Sequence, residues 1–147
     1  MKKIVAVLTG FFICILIQSF SFTTQQAGLR VDVTGLHHNN GYVLVSVYKE
    51  GSGFPDNPDR AVKKVKLLIK DKKATITFTD ISAGIYAVAI LHDENNDQKL
   101  NTNGLGIPKE GYGFSNNVIG AFGPPSFKRA SFNYTGSLKV ISIRTRY

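Results

Sequence analysis

The chain has 147 residues, with 18 Lys and Arg against 10 Asp and Glu and a single cysteine. That length accommodates one domain with a real core, and 43% hydrophobic with 19% charged content excludes a disordered polyelectrolyte and a multi-span membrane protein. One cysteine excludes an internal disulfide framework and a Cys-cluster zinc site.

Met1-Lys2-Lys3 is a basic start, Ile4 to Ile17 is almost wholly apolar, and Gln18-Ser19-Phe20-Ser21 turns polar. This pattern predicts a signal peptide over residues 1–21 and a single domain over 22–147. The apolar run is short for the ~20 residues of a membrane span, so no transmembrane span is expected in the mature chain. The expected location is the periplasm or the cell surface. Removing the leader takes away Lys2, Lys3 and Cys14 and lowers the net charge from +8 to +6.

From Leu29 onward short alternating segments are separated by turn residues, the pattern of an all-β sandwich. Leu29, Val31 and Val33 share one face of a first strand, and Val43, Val45 and Val47 one face of a second. Between them His37-His38-Asn39-Asn40-Gly41 reads as a tight hairpin turn. Val65, Leu67 and Ile69 alternate with lysines, and Ala74, Ile76 and Phe78 with threonines. Gly84 to Leu91 is apolar on both faces, as in a central strand covered on both sides. Asp93 to Phe127 lacks periodicity and reads as one long loop; a loop of that length is usually functional or internally ordered. Gly-Pro-Pro at 123–125 invites a cis bond. Strands are expected again over Lys128–Tyr134 and Ser137–Tyr147, the last with a bulge, since Leu138 and Val140 differ in parity from Ile141 and Ile143. The prediction is a seven-stranded antiparallel β-sandwich, immunoglobulin- or transthyretin-like, with one long loop and no helix.

The strand Gly84-Ile-Tyr-Ala-Val, the acidic His92-Asp-Glu-Asn, the run Gly106-Ile-Pro-Lys-Glu-Gly-Tyr-Gly-Phe-Ser-Asn-Asn and Pro124-Pro-Ser-Phe together resemble the DUF2141 family of exported bacterial proteins. The resemblance spans Leu29 to Tyr147; it implies an exported β-sandwich and no established activity. The Gly-x-Tyr strand running into an acidic loop also looks like transthyretin-like and collagen-adhesin B-type modules, which are mostly adhesive or accessory.

Asp93, Asn95, Asp97 and Asn101 stand at positions 1, 3, 5 and 9 of a loop, with Lys99 at position 7 able to offer its carbonyl. Alternate oxygens of a tight turn suit Ca²⁺, which takes six to eight ligands at ~2.3–2.6 Å. Gln98 replaces the usual Gly and Gly104 the usual bidentate Glu, so Glu110 would have to fold back to supply a carboxylate. The alternative is a solvated Asx-rich turn.

Tyr112, Phe114, Phe122 and Phe127 among glycines, with Asn116 and Asn117, form a candidate ligand surface or, alternatively, an aromatic plug closing one end of the core. His92, Asp93, Glu110 and Ser115 raise a glycoside or ester hydrolase, although Ser115 lacks a nucleophile elbow and sequence neighbours on a strand face opposite ways. His37, His38 and His92 raise a metal site. The lysines at 63, 64, 66, 70, 72 and 73 suit an anionic surface or simply a solvated face. The expected partner is an envelope protein, a glycan or an anionic surface; nucleic acid is excluded by the absence of a stacking motif in an exported chain.

Overall fold

The computed structural model describes residues 27–121 and 123–147, so the expected leader and Phe122 lie outside the described residues. The described residues are mostly β, with eight strands in two sheets, one four-residue α-helix and two short 3-10 turns. The strands are β1 (Leu29–Thr34), β2 (Tyr42–Tyr48), β3 (Lys63–Leu68), β4 (Ala74–Phe78), β5 (Gly84–Asp93), β6 (Gly111–Phe114), β7 (Phe132–Tyr134) and β8 (Lys139–Arg144). One sheet runs β4-β1-β8 and the other β3-β2-β5-β6, with β7 paired to the remaining length of β5. Among the described residues no helix is long and apolar enough to cross a membrane.

The alternating faces meet in one core. Leu29, Val31, Val33, Val43, Val45, Val47, Tyr86, Val88, Ile90, Ile141 and Ile143 are all buried in a single cluster drawn from both sheets. Each such aliphatic contributes roughly 1.5–3 kcal/mol relative to exposure. The central strand β5 is covered on its other face as well, where Ala87 packs with Phe114 and Ala130 beneath Phe54, Val118 and Phe127. This second cluster explains why Gly84–Leu91 lacks a polar face.

Several expectations change. The described residues form eight strands, not seven, because Gly111–Phe114 inside the expected loop pairs with β5 from Ala89 to His92. The sheets are not wholly antiparallel, since β1 and β8 run parallel from Leu29↔Lys139 to Thr34↔Arg144. That register is continuous, so the last strand has no bulge: Ile141 and Ile143 turn inward while Leu138 and Val140 stay exposed. Residues 37–41 do not close a hairpin, because β1 and β2 belong to different sheets and the segment crosses between them. Phe127–Ala130 is a helical turn, and the strand expected from Lys128 begins only at Phe132. The cis peptide bond lies at Phe54–Pro55 rather than within 123–125.

Topology gathers one end of the molecule. The segments 35–41, 69–73 and 94–110 and the residues after β8 all leave or enter strands there, since Tyr42 pairs with both Leu68 and Asp93, and Thr34 with Arg144. Asp71 and Lys72, with φ of 52° and 57°, form the two-residue turn after β3, and the Lys72 N–H donates to Asn39 Oδ1 at 2.8 Å. Beyond β8 the tail changes sheet: Thr145 N–H bonds the Thr34 carbonyl, and Arg146 exchanges two backbone hydrogen bonds with Tyr112 of β6. Tyr147 is thereby laid over Gly111, where an added Cβ would sit 2.6 Å from its Cζ.

Candidate functional site

β5 ends in the polar turn. Asp93 is fully buried, and its two oxygens accept the N–H groups of Asp97 at 3.1 Å and Gln98 at 3.0 Å. Those bonds bend the chain back on itself, with Asn96 and Gln98 at positive φ (66° and 61°), the conformation a calcium-type loop gives to Gly. Asn95, Asp97 and Asn101 then converge: Asn95 Nδ2 donates to Asp97 Oδ2 at 3.1 Å and to Asn101 Oδ1 at 3.0 Å, and Asn101 Nδ2 donates to Asp97 Oδ2 at 2.9 Å. The hydrogen bonds from Asn101, from the Lys99 N–H and from Asn95 hold the Asp97 carboxyl below its ordinary range.

Glu110 does fold back, and its buried carboxylate accepts the N–H of Glu94 and the N–H of Asn101, each at 2.9 Å. It ties the two ends of the turn rather than joining the cluster. Lys99 contributes its N–H to Asp97 Oδ1 at 2.9 Å. Among the described residues no three His, Cys, Asp or Glu side chains gather in a metal-binding group; the convergent cluster is one carboxylate and two carboxamides beside buried Asp93. The Asn95 and Asn101 amides both donate to Asp97 Oδ2; turned about, they would offer oxygens of the kind a hard cation takes.

Beyond Asn101 the chain forms a hairpin of its own. Thr102 pairs with Pro108, Lys109 N–H bonds Asn101, and Asn103 Oδ1 accepts the N–H groups of Leu105 and Ile107. The tip is apolar and uncovered: Leu105 is 85% exposed and Ile107 55%. Gly104 and Gly106 face open space. Nothing in the alternation of the sequence marks this hairpin, because it has no buried face.

Of the candidate ligand residues that are described, the aromatic ones pack against neighbouring rings, and Asn116 and Asn117 are exposed but hydrogen-bonded. Phe114 is buried against Phe54 with ring centroids 5.8 Å apart, and Phe54 also meets Tyr48 at 5.5 Å and Phe127 at 6.0 Å. Tyr112 is half-buried, 5.9 Å from Phe114. Asn116 Nδ2 donates to the carbonyls of Arg129 and Ser131. Asn117 acts as a surrogate strand on the free edge of β8, accepting from Arg144 N–H at 2.8 Å and donating to the Ser142 carbonyl at 3.1 Å. Ser115 is buried too, accepting from Val88 N–H and donating to the Ala130 carbonyl at 2.6 Å.

All three histidines of the chain meet around Tyr147 and Glu94. His92 is fully buried, with Nδ1 2.6 Å from the Tyr147 hydroxyl and Nε2 2.8 Å from the Asn40 carbonyl. Both its nitrogens are engaged, which leaves none for a metal. His38 Nε2 lies 3.2 Å from Glu94, and the His37 ring stacks on Tyr147 at 3.6 Å. Burial raises the Tyr147 phenol above its ordinary value, opposed by the N–H of His37 and reinforced by the charge of Glu94. Tyr147 and Asn40 carry no sequence signal that relates them to His92. Of the basic stripe, Lys63 and Lys64 pair with Asp80 and Asp59, and Lys66 contacts Asn96 and lies over the Tyr42 ring.

These features describe a two-sheet β domain with a hydrogen-bonded polar loop at one end. Over residues 31–142 the chain matches the family model described as "Uncharacterized protein conserved in bacteria (DUF2141)", and it belongs to that family. No curated protein and no solved structure matches it.

Proposed function

We propose that this chain is an exported, non-enzymatic binding or accessory module of the bacterial envelope, an immunoglobulin- or transthyretin-like sandwich whose 93–127 segment is the contact face and whose acidic turn is steadied by Ca²⁺. The observation that carries the reading is the hairpin tip: Leu105, 85% exposed, is held out by a hydrogen-bonded frame rather than left on a loose loop. Side-chain hydrogen bonds fix the base of that frame through Asp93 and Glu110. The same bonds speak against these carboxylates as hydrolase groups, since each oxygen already accepts a backbone N–H and both side chains are buried. The convergence of Asn95, Asp97 and Asn101 favours calcium as the ion that orders the turn.

Photo-cross-linking in intact cells tests the reading. A photoreactive residue at position 105 is expected to give a discrete adduct absent from position 50, which is exposed at the opposite end. The same adducts from both positions, or none from position 105, contradict it.

A further inference from the structure

Where the tail leaves β8 there is an open cleft of about 520 Å³ lined by Gly35, His37, Arg144, Thr145, Arg146 and Tyr147. None of these residues is acidic and none belongs to the 93–127 segment. Arg144 and Arg146 are exposed, and among the described residues neither guanidinium makes a hydrogen bond or ion pair. By contrast Arg30, Lys63 and Lys64 each hold a carboxylate at 2.8, 2.5 and 2.8 Å. Two residues apart on extended backbone, the arginines stand about 6.8 Å from each other at Cα and present two forks that match the paired oxygens of a carboxylate or phosphate.

The rest of the cleft suits a ring. The His37 ring stacks on Tyr147 at 3.6 Å and 12°, and Tyr147 in turn lies over Gly111, so the outer face of exposed His37 is the shelf on which the C–H face of a sugar packs. Gly35 (φ +76°) has no side chain, and a Cβ there would press on Arg144 Cγ at 3.1 Å. Thr145, 5% exposed, has a hydroxyl without a hydrogen-bond partner. The volume of this open cleft lies in the range of small-ligand sites.

We infer that this cleft binds a sugar ring carrying an oxyanion, the arginines holding the carboxylate or phosphate and the His37 shelf, backed by Tyr147, holding the ring. The proposal stands whether or not the 93–101 turn takes calcium.

The test is an NMR titration of the isotope-labelled protein with a galacturonate trisaccharide, glucose 6-phosphate, glucose and inorganic phosphate. At least one anionic sugar is expected to shift the amides of residues 35–37 and 144–147 saturably. Glucose and inorganic phosphate are expected to bind about tenfold more weakly or worse. Which anionic sugar binds identifies the source of the oxyanion. The double variant R144Q/R146Q is expected to lose about tenfold or more in affinity with an unchanged thermal midpoint, and H37A to weaken the sugar but not inorganic phosphate. If the double variant fails to fold, the position of the wild-type shifts decides. Binding by neither anionic sugar, equal binding of glucose, tight binding of inorganic phosphate alone, shifts elsewhere on the surface, or an unaffected folded double variant overturns the proposal. Sedimentation with phosphatidylglycerol vesicles in the absence of sugar binding also overturns it and assigns the arginines to a membrane surface.

Discussion

The phenolic oxygen of Tyr147 lies 2.6 Å from Nδ1 of buried His92, across 55 residues of sequence. The Asn40 carbonyl can only accept, so His92 Nε2 carries a proton toward it, and in the neutral ring Nδ1 accepts from the Tyr147 hydroxyl. The Tyr147 oxygen in turn accepts the N–H of His37 at 3.1 Å. One phenol thus fastens the tail to β5 and to the crossing segment before β2. Tyr147→Phe strips the partner from a buried imidazole nitrogen and is expected to cost about 1–3 kcal/mol. Urea denaturation measures it; a wild-type midpoint would show that the relay contributes nothing.

The same residue sets an alkaline limit. Burial raises the phenols of Tyr147 and Tyr48 above 10.0 in the folded chain. Both are neutral in either state below that value, so their stabilisation is complete there. As pH climbs past 10.0 toward the folded-state values, the unfolded chain ionises first and stability falls. Melting midpoints across this range are expected to drop, and less steeply in Tyr147→Phe. A slope identical in that variant would assign the loss elsewhere.

Glu110 is the loop's second fastening. Glu110→Gln leaves one amide group facing two N–H donors, those of Glu94 and Asn101. One donor is left unpaired, at an expected cost of about 1.5–3 kcal/mol. Hydrogen exchange should place the effect at residues 94–110, with β1 and β8 protected as in the wild type. Exchange unchanged in the loop would contradict the role given to Glu110.

Calcium is expected to raise the thermal midpoint by several degrees, a ligand at about a hundred times its dissociation constant contributing about 2.7 kcal/mol. Asp97→Asn should abolish that response, since Asp97 is the carboxylate on which Asn95 and Asn101 converge. A midpoint insensitive to millimolar calcium and to chelator would leave the turn as an Asx motif held by its own amides.

Period-two alternation made β1 to β5 legible, because each buries one face and β5 both. It failed for Gly111–Phe114, where Gly111 and Gly113 occupy the inward positions: a Cβ on Gly111 would strike Thr145, and one on Gly113 would strike Ile143. Strand pairing was beyond reach too, since Asn40-Gly41 carries a hairpin signal while serving a crossover, with Gly41 at φ +73° tucked under Asp93 and Glu94. The acidic turn was legible through its Asx spacing; the return of Glu110 was not, because its partners are the backbone N–H groups of Glu94 and Asn101, which carry no side-chain signal. Tyr147 and the arginine pair were not, because only the folded tail brings them to His37 and Gly35.

The contact role of the hairpin tip is tested most directly by competition for the adduct formed from position 105. Excess purified wild-type protein added to permeabilised cells is expected to suppress that adduct, while the doubly substituted L105S/I107S protein, equally stable, leaves it intact. Equal competition by the two proteins, or by neither, would contradict the account.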